Sequence, residues 1–142
     1  MRYFAAIGIT LAALALAPGS QAQEKKIKKV EATYTKPYSG SEMFQTYCAV
    51  CHGVDGKGNG PAASALKTTP ANLTMLSQKH EGKFPTMEVR EYIRGDASTS
   101  AHGTRDMPMW GDVLKNVGAG GDATLTLRVR NLSDYIEGLQ QK

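Results

Sequence analysis

The sequence lacks most of the signals by which common enzyme classes are recognised. It contains no Walker loop, no HExxH motif and no Ser, His and Asp in the order of a hydrolase triad. Only 2 cysteines are present, so no second cysteine pair exists to complete a zinc site. Neither an alternating strand pattern nor an internal repeat occurs between residue 39 and the C-terminus. These absences favour a small helical domain whose chemistry comes from a bound group.

The excess of positive charge is confined to one short segment. The chain has a formal net charge of +4, and residues 23–38 contain the lysines Lys25, Lys26, Lys28, Lys29 and Lys36. Because the charge is not spread over the domain, it gives no support for nucleic-acid binding. We expect residues 23–38 to form a basic, flexible tail; the alternative is a tether to an acidic partner or to an anionic membrane surface.

The N-terminus has the pattern of a secretory signal. Arg2 precedes an apolar run over residues 3–17, and Ser20 and Ala22 are small residues at the positions that a signal peptidase reads. The run is shorter than the roughly 20 residues needed to span a bilayer, which favours cleavage over retention as an anchor. We therefore expect residues 1–22 to be a cleaved signal peptide and the mature protein to be periplasmic.

Residues 39–142 are predicted to form one domain that is all-α. Ser39 and Glu42 have the spacing of a capping box, and they begin a helix that continues into the first cysteine. Shorter helices are expected over residues 62–67, 73–79 and 86–95. The last helix has the clearest pattern: from Asp122 as its cap, it carries one apolar stripe formed by Leu125, Val129, Leu132, Ile136 and Leu139.

The stretch Cys48-Ala49-Val50-Cys51-His52 is a Cys-x-x-Cys-His motif, the signal for covalent attachment of one c-type haem. Two thiols at this spacing can reach the two vinyl groups of the porphyrin, and the imidazole of His52 can then bind the iron as proximal ligand. The alternatives are a redox dithiol, an ordinary disulfide or half of a zinc site. The glycine-rich loop over residues 53–60 would let the backbone pass close to a flat ligand.

Over roughly residues 39–140 the chain resembles the small mono-haem class I c-type cytochromes. Gly40 and Phe44 stand eight and four residues before Cys48, and Leu132 and Tyr135 match their partners in the last helix. The resemblance implies a class I cytochrome c fold, in which short helices surround one covalently bound haem. Its N- and C-terminal helices cross where glycine allows a close approach.

The resemblance also implies roles for residues beyond the motif. Pro61 matches the proline whose carbonyl accepts the Nδ1 proton of the proximal imidazole. Met107, in the sequence Met107-Pro108-Met109-Trp110, matches the methionine that is the second iron ligand, with Met109 as its competitor. Trp110 is expected in the haem environment, packed on the haem edge or in the core.

The function predicted from these features is one-electron transfer in a periplasmic or respiratory chain, by a monomer that is not itself an enzyme. Its partners would be redox proteins that donate and accept the electron. One alternative is a haem c subunit of a larger oxidoreductase. Another is a five-coordinate haem enzyme or gas-binding protein, for which His102 and Arg105 would be the candidate distal groups.

Overall fold

The structure is a computed structural model of the chain, and it describes residues 31–96 and 107–141. Within these two ranges every regular element is helical, which confirms the predicted all-α class. The elements in chain order are α1 (Gly40–Met43), a π-helical turn (Phe44–Cys48), α2 (Ala49–His52), two 3₁₀ turns (Ala63–Ala65 and Leu73–Met75), α3 (Leu76–Lys79), α4 (Thr86–Arg94), α5 (Gly111–Asn116) and α6 (Gly121–Gly138). The predicted signal peptide lies outside the described residues.

The first three helical elements follow one another without a break. The hydroxyl oxygen of Ser39 accepts a hydrogen bond from the backbone N–H of Glu42 at 3.3 Å, so the predicted N-terminal cap is present. In the π turn, the N–H of Ala49 donates to the carbonyl of Phe44, five residues earlier. This wider turn ends at Cys48, the first residue of the cysteine motif, and both Tyr47 and Cys48 are buried.

The first and last helices cross at Gly40, as predicted. An alanine Cβ at this position would lie 2.8 Å from the Cβ of Tyr135 and closer still to the carbonyl oxygen of Asn131. One turn further on, the rings of Phe44 and Tyr135 pack with centroids 5.3 Å apart. Leu132 is fully buried beside them. Glycine therefore sets the distance between the helices, and the aromatic pair fills the space that remains.

Helices α1, α4 and α5 pack against α6. Its predicted apolar stripe faces the core: Val129, Leu132 and Ile136 are buried, and Leu125 and Leu139 pack at its ends. Several details differ from the sequence prediction. The helix predicted over residues 62–67 is only the 3₁₀ turn Ala63–Ala65, and the one predicted over 73–79 is a 3₁₀ turn followed by α3. Helix α6 begins at Gly121 after Gly120 and not after Asp122 as its cap, and α5 was not predicted because its six residues are too few to show a helical period.

Part of the predicted tail is packed onto the domain. We call residues 33–37 the strap. Thr35 within it is 1% exposed and accepts a hydrogen bond from Nη1 of Arg128 at 2.9 Å. The side-chain amide of Asn131 donates to the carbonyl of Pro37 at 3.1 Å. The expectation of a solvated tail is wrong for Thr35, which is anchored by a polar group of α6 that is distant in sequence, whereas Thr33, Tyr34 and Lys36 are exposed.

The crossing predicts a specific effect of adding one methyl group. Gly40→Ala should lower the free energy of unfolding by about 2 kcal/mol or more, because the new Cβ would overlap backbone atoms that cannot rotate away. Gly138→Ala is the matched control, since nothing lies within 4 Å of a Cβ at this helical glycine. It should change stability by less than about 1 kcal/mol, in the stabilising direction. Denaturant titration of both variants measures the difference, and equal effects would contradict a close crossing.

Candidate functional site

The two thiols and the imidazole of the motif lie at the C-terminal end of the continuous helical segment Gly40–His52. Cys48 is the last residue of the π turn, and Cys51 and His52 lie in α2. Residues three apart on a helix share a face, so the side chains of Cys48 and Cys51 project to the same side. Both thiols are free, and Cys48 and His52 are buried.

The environment of Cys48 argues against a redox dithiol. Burial, together with a smaller contribution from the nearby Cys51, raises the pKa of this thiol to about 12. A thiol with so high a pKa is protonated at neutral pH, whereas redox-active cysteines have lowered pKa values and reach solvent. A zinc site is not supported either, since residues 31–96 and 107–141 contain no cluster of three or more His, Cys, Asp or Glu side chains suited to a metal ion.

The ring of His52 is held by a backbone carbonyl. Its Nδ1 lies 3.0 Å from the carbonyl oxygen of Ala71, and since a carbonyl can only accept, Nδ1 must carry the proton. Burial lowers the pKa of this imidazole, more than the hydrogen bond to Ala71 raises it. The neutral ring therefore keeps an unprotonated Nε2, which is the form that binds a metal.

The prediction that Pro61 provides this carbonyl is wrong. Its neighbours Gly60 and Ala62 donate their N–H groups to the carbonyls of Cys51 and Val50, so the chain at Pro61 lies beside an earlier turn of the helix. Ala71 is brought to His52 by the chain that follows: the N–H of Leu73 donates to the carbonyl of Gly56 at 2.7 Å. Pro61 itself is exposed.

The glycine-rich loop closes the C-terminal end of α2. A helix leaves its last four carbonyls without partners. Here all four carbonyls accept hydrogen bonds from backbone N–H groups of the loop and of the residue that follows Pro61. The N–H of Gly53 donates to the carbonyl of Ala49, that of Ala62 to Val50, that of Gly60 to Cys51 and that of Gly58 to His52. The helix end that carries the motif is thereby fixed.

Two glycines make this docking possible for different reasons. Gly58 has φ +84°, a backbone conformation that other residues rarely adopt. At Gly60 a Cβ would lie 2.5 Å from the carbonyl oxygen of Val50 and 2.6 Å from that of Ala49. At these two positions the loop backbone can take its path along the helix only because glycine has no side chain.

The segment that contains the predicted second ligand approaches the same helix. The ring of Trp110 packs on the ring of Tyr47, with centroids 5.6 Å apart. The side chain of Met109 lies against Gly95, where a Cβ would be 2.7 Å from its Cβ and Cγ. Met107 is 36% exposed, and Met109 is 56% exposed. The alternative distal groups, His102 and Arg105, lie outside the described residues.

Three contacts at the site were not predicted from the sequence. Ala71 acts through its backbone carbonyl, which no side-chain pattern reveals. Gly95 was interpreted only as a helix stop, although it also provides the space for Met109. The one available signal was Tyr47, an aromatic residue directly before the first cysteine, whose partner Trp110 follows the Met-Pro pair.

The residues present fit a covalently attached haem c. Cys48 and Cys51 offer two free thiols on one face of a helix, as the two covalent links require. His52 offers a buried imidazole with Nε2 available and Nδ1 held in place. The pattern of donors is that of a haem site, and it matches neither a zinc site nor a redox dithiol.

The loop geometry yields a prediction about Gly60. Gly60→Ala should destabilise the protein by about 1–3 kcal/mol, because the added methyl group would push the loop off the carbonyls of the helix end. Pro61→Ala is the neighbouring control; it changes an exposed residue and should cost less than about 1 kcal/mol. Thermal unfolding of the holoprotein measures both, and an unchanged midpoint for Gly60→Ala would mean that the loop does not dock as described.

Comparison with known proteins identifies one family. A family model described as Cytochrome c matches residues 38–119, a span that includes Cys48, His52 and Met107. Searches of curated proteins and of solved structures each gave no match. The family match covers more than half of the chain, and the helical fold and the motif geometry agree with a class I member. The chain therefore belongs to the cytochrome c family.

Proposed function

We propose that this protein is a one-electron carrier that passes electrons between redox-protein partners in the periplasm, as a monomer with one haem c. Family membership implies a covalently bound haem c and a role in electron transfer. Haem c supplies a single redox-active iron when bound. The observation that carries the proposal is the state of His52, a buried neutral imidazole with Nδ1 fixed by Ala71, next to two free thiols.

We propose His52 and Met107 as the two axial ligands. A thioether is a soft, neutral donor that favours ferrous iron, so this pair would give a high reduction potential and leave no open coordination position. The packing of Met109 against Gly95 supports Met107, because it directs the Met109 side chain toward the end of α4. Pro108 between them fixes the local backbone direction.

A closed coordination sphere favours electron transfer over substrate chemistry. An enzyme or a gas-binding protein needs an open iron position with acid or base groups beside it. His80, a conceivable second ligand, instead lies 3.8 Å from the carboxylate of Glu88, half-exposed on the surface. A haem subunit of a larger oxidoreductase would use the same ligand pair. The iron would therefore transfer one electron in the same way in a free carrier and in such a subunit.

The proposed location rests on the sequence of the N-terminus and on the family. Cytochrome c domains are typically extracellular or periplasmic, which agrees with export by a signal at residues 1–22. Within the described ranges no helix has the length and apolarity required to cross a membrane. N-terminal sequencing of the secreted protein tests the location, and a first residue of Gln23 is the expected result.

The two cysteines should be needed for covalent haem. We expect the Cys48→Ala, Cys51→Ala double variant to yield almost no covalently loaded protein, since both thioether links are lost and a small domain relies on the bound group to complete its core. Mass spectrometry of the purified protein and haem staining after denaturing electrophoresis measure the attachment. A normal yield of covalent holoprotein from this variant would refute the haem site.

The choice between the two methionines can be tested directly. Met107→Ala should open the sixth position, so that the protein becomes high-spin or water-ligated, has a lower reduction potential and binds carbon monoxide. Met109→Ala is the matched control and should keep the low-spin spectrum, with at most a loss of packing against Gly95. Optical spectra and a redox titration of the purified variants provide the measurement.

Each outcome of this experiment has a defined meaning. If Met109→Ala loses the low-spin spectrum and Met107→Ala keeps it, the ligand assignment is wrong although the carrier function stands. If the unmodified protein is itself five-coordinate and binds carbon monoxide readily, the carrier function fails and a gas-binding or enzymatic function replaces it.

A further inference from the structure

We propose that Tyr47 is a positioning residue that holds the Met107–Trp110 segment at a fixed place relative to the helix carrying His52, and that the strap holds Tyr47 in turn. This inference deepens the proposed function, since it rests on Met107 being an iron ligand. Tyr47 is buried in the π turn directly before Cys48, and its ring contacts Trp110 across the site.

The segment after Met107 is held at three consecutive residues. The side chain of Met109 packs against Gly95. The backbone N–H of Trp110 donates to the carbonyl of Ile93 at 3.1 Å. At Gly111 a Cβ would lie 2.5 Å from the carbonyl oxygen of Arg94, so the backbone rests directly on the end of α4. These contacts tie residues 109–111 to α4.

The ring of Trp110 adds a contact of a different kind. Its partner Tyr47 does not belong to α4. It lies in the π turn that continues into α2, and the two ring planes are tilted by 33°. The contact thus links the side that carries His52 to the side that carries Met107. Because Pro108 restricts the backbone between Met107 and Met109, a displacement of Trp110 changes where the Met107 sulfur can lie.

The hydroxyl group of Tyr47 is anchored on its far side by the strap. It donates a hydrogen bond to the carbonyl of Thr33 and lies 3.1 Å from the hydroxyl of Thr35. Thr35 in turn accepts from Nη1 of Arg128, whose Nη2 donates to the carbonyl of Val117 at 2.8 Å. Within this chain of contacts, Thr35 and Arg128 are buried, each with 1% of its surface accessible.

Burial gives these hydrogen bonds their effect on position. A buried polar group that loses its partner pays a desolvation cost, so the Tyr47 hydroxyl is confined to the place where Thr33 and Thr35 can bond it. The ring then has one preferred orientation toward Trp110. The strap precedes the cysteine motif and is not part of it. Through Tyr47 and Trp110 it nevertheless acts on the position of the proposed second ligand.

The test measures how readily an added ligand displaces Met107 from the ferric iron. Tyr47→Phe keeps the ring but removes the hydroxyl, so the association constant of imidazole with the ferric holoprotein should rise roughly threefold to tenfold, the equivalent of one net hydrogen bond. Tyr47→Leu also removes the contact with Trp110 and should raise the constant further. Hydrogen exchange of the peptide containing residues 107–111 should become faster in both variants.

Two controls separate positioning from a general loss of stability. Tyr38→Phe makes the same chemical change at a tyrosine that is 69% exposed and should leave the imidazole constant unchanged. Ile136→Val removes one buried methyl group from α6 and none of the hydrogen bonds of the Tyr47 hydroxyl, so it should lower stability without raising the constant.

The outcomes distinguish this inference from the proposed function. If Tyr47→Phe binds imidazole with the affinity of the unmodified protein, or if Ile136→Val raises the affinity as much, the positioning role is refuted while the carrier function stands. If the unmodified ferric protein is five-coordinate, the proposed ligand pair fails and the inference fails with it. A rise confined to the Tyr47 variants supports the positioning role.

Discussion

The close approach of the first and last helices at Gly40 is the constraint on which the rest of the structure depends. It brings the backbone of α1 against Asn131 and Tyr135 of α6, at a distance that no other residue would permit. From there the continuous helical segment that begins with α1 runs into the cysteine motif, and α6 provides the buried face on which α1, α4 and α5 pack. The helical segment Gly40–His52 is therefore fixed to α6 near its N-terminal end and carries the cysteine motif at its C-terminal end.

A second constraint acts on the backbone alone. The loop after His52 gives its N–H groups to the carbonyls at the end of the helix, and the chain beyond it returns to place the carbonyl of Ala71 on the imidazole. None of these contacts uses a side chain of the loop. The candidate proximal ligand is oriented by main-chain geometry, which requires glycine at Gly58 and Gly60.

How much could be predicted depended on whether a feature is encoded by side chains. The stripe from Leu125 to Leu139, the cap at Ser39 and the motif at Cys48 have fixed spacings, so the crossing, the helical class and a set of candidate donors could be predicted from them. The carbonyl partner of His52 could not, because every residue has a carbonyl and only the path of the chain selects Ala71 over Pro61.

The same limit explains the two other differences. The packing of the strap could not be predicted because Thr35 has no apolar pattern around it, and its partner Arg128 lies in a helix whose polar residues normally face solvent. Helix α5 is too short to produce a periodic signal, and its position is set by the contact of Gly111 with the end of α4. Long-range contacts decided both cases.

The burial of Arg128 has a consequence for the size of the folding unit. Its described partners are all neutral: the Thr35 hydroxyl, the Val117 carbonyl, the Met43 sulfur and the ring of Tyr34. A buried guanidinium depends on such partners, because its N–H groups have lost the hydrogen bonds to water that they would make outside the protein. A polypeptide trimmed to the helix cap at Ser39 would leave that charge without the Thr35 hydroxyl and the Tyr34 ring. We therefore expect the smallest autonomous unit to begin before the cap, at or ahead of Tyr34.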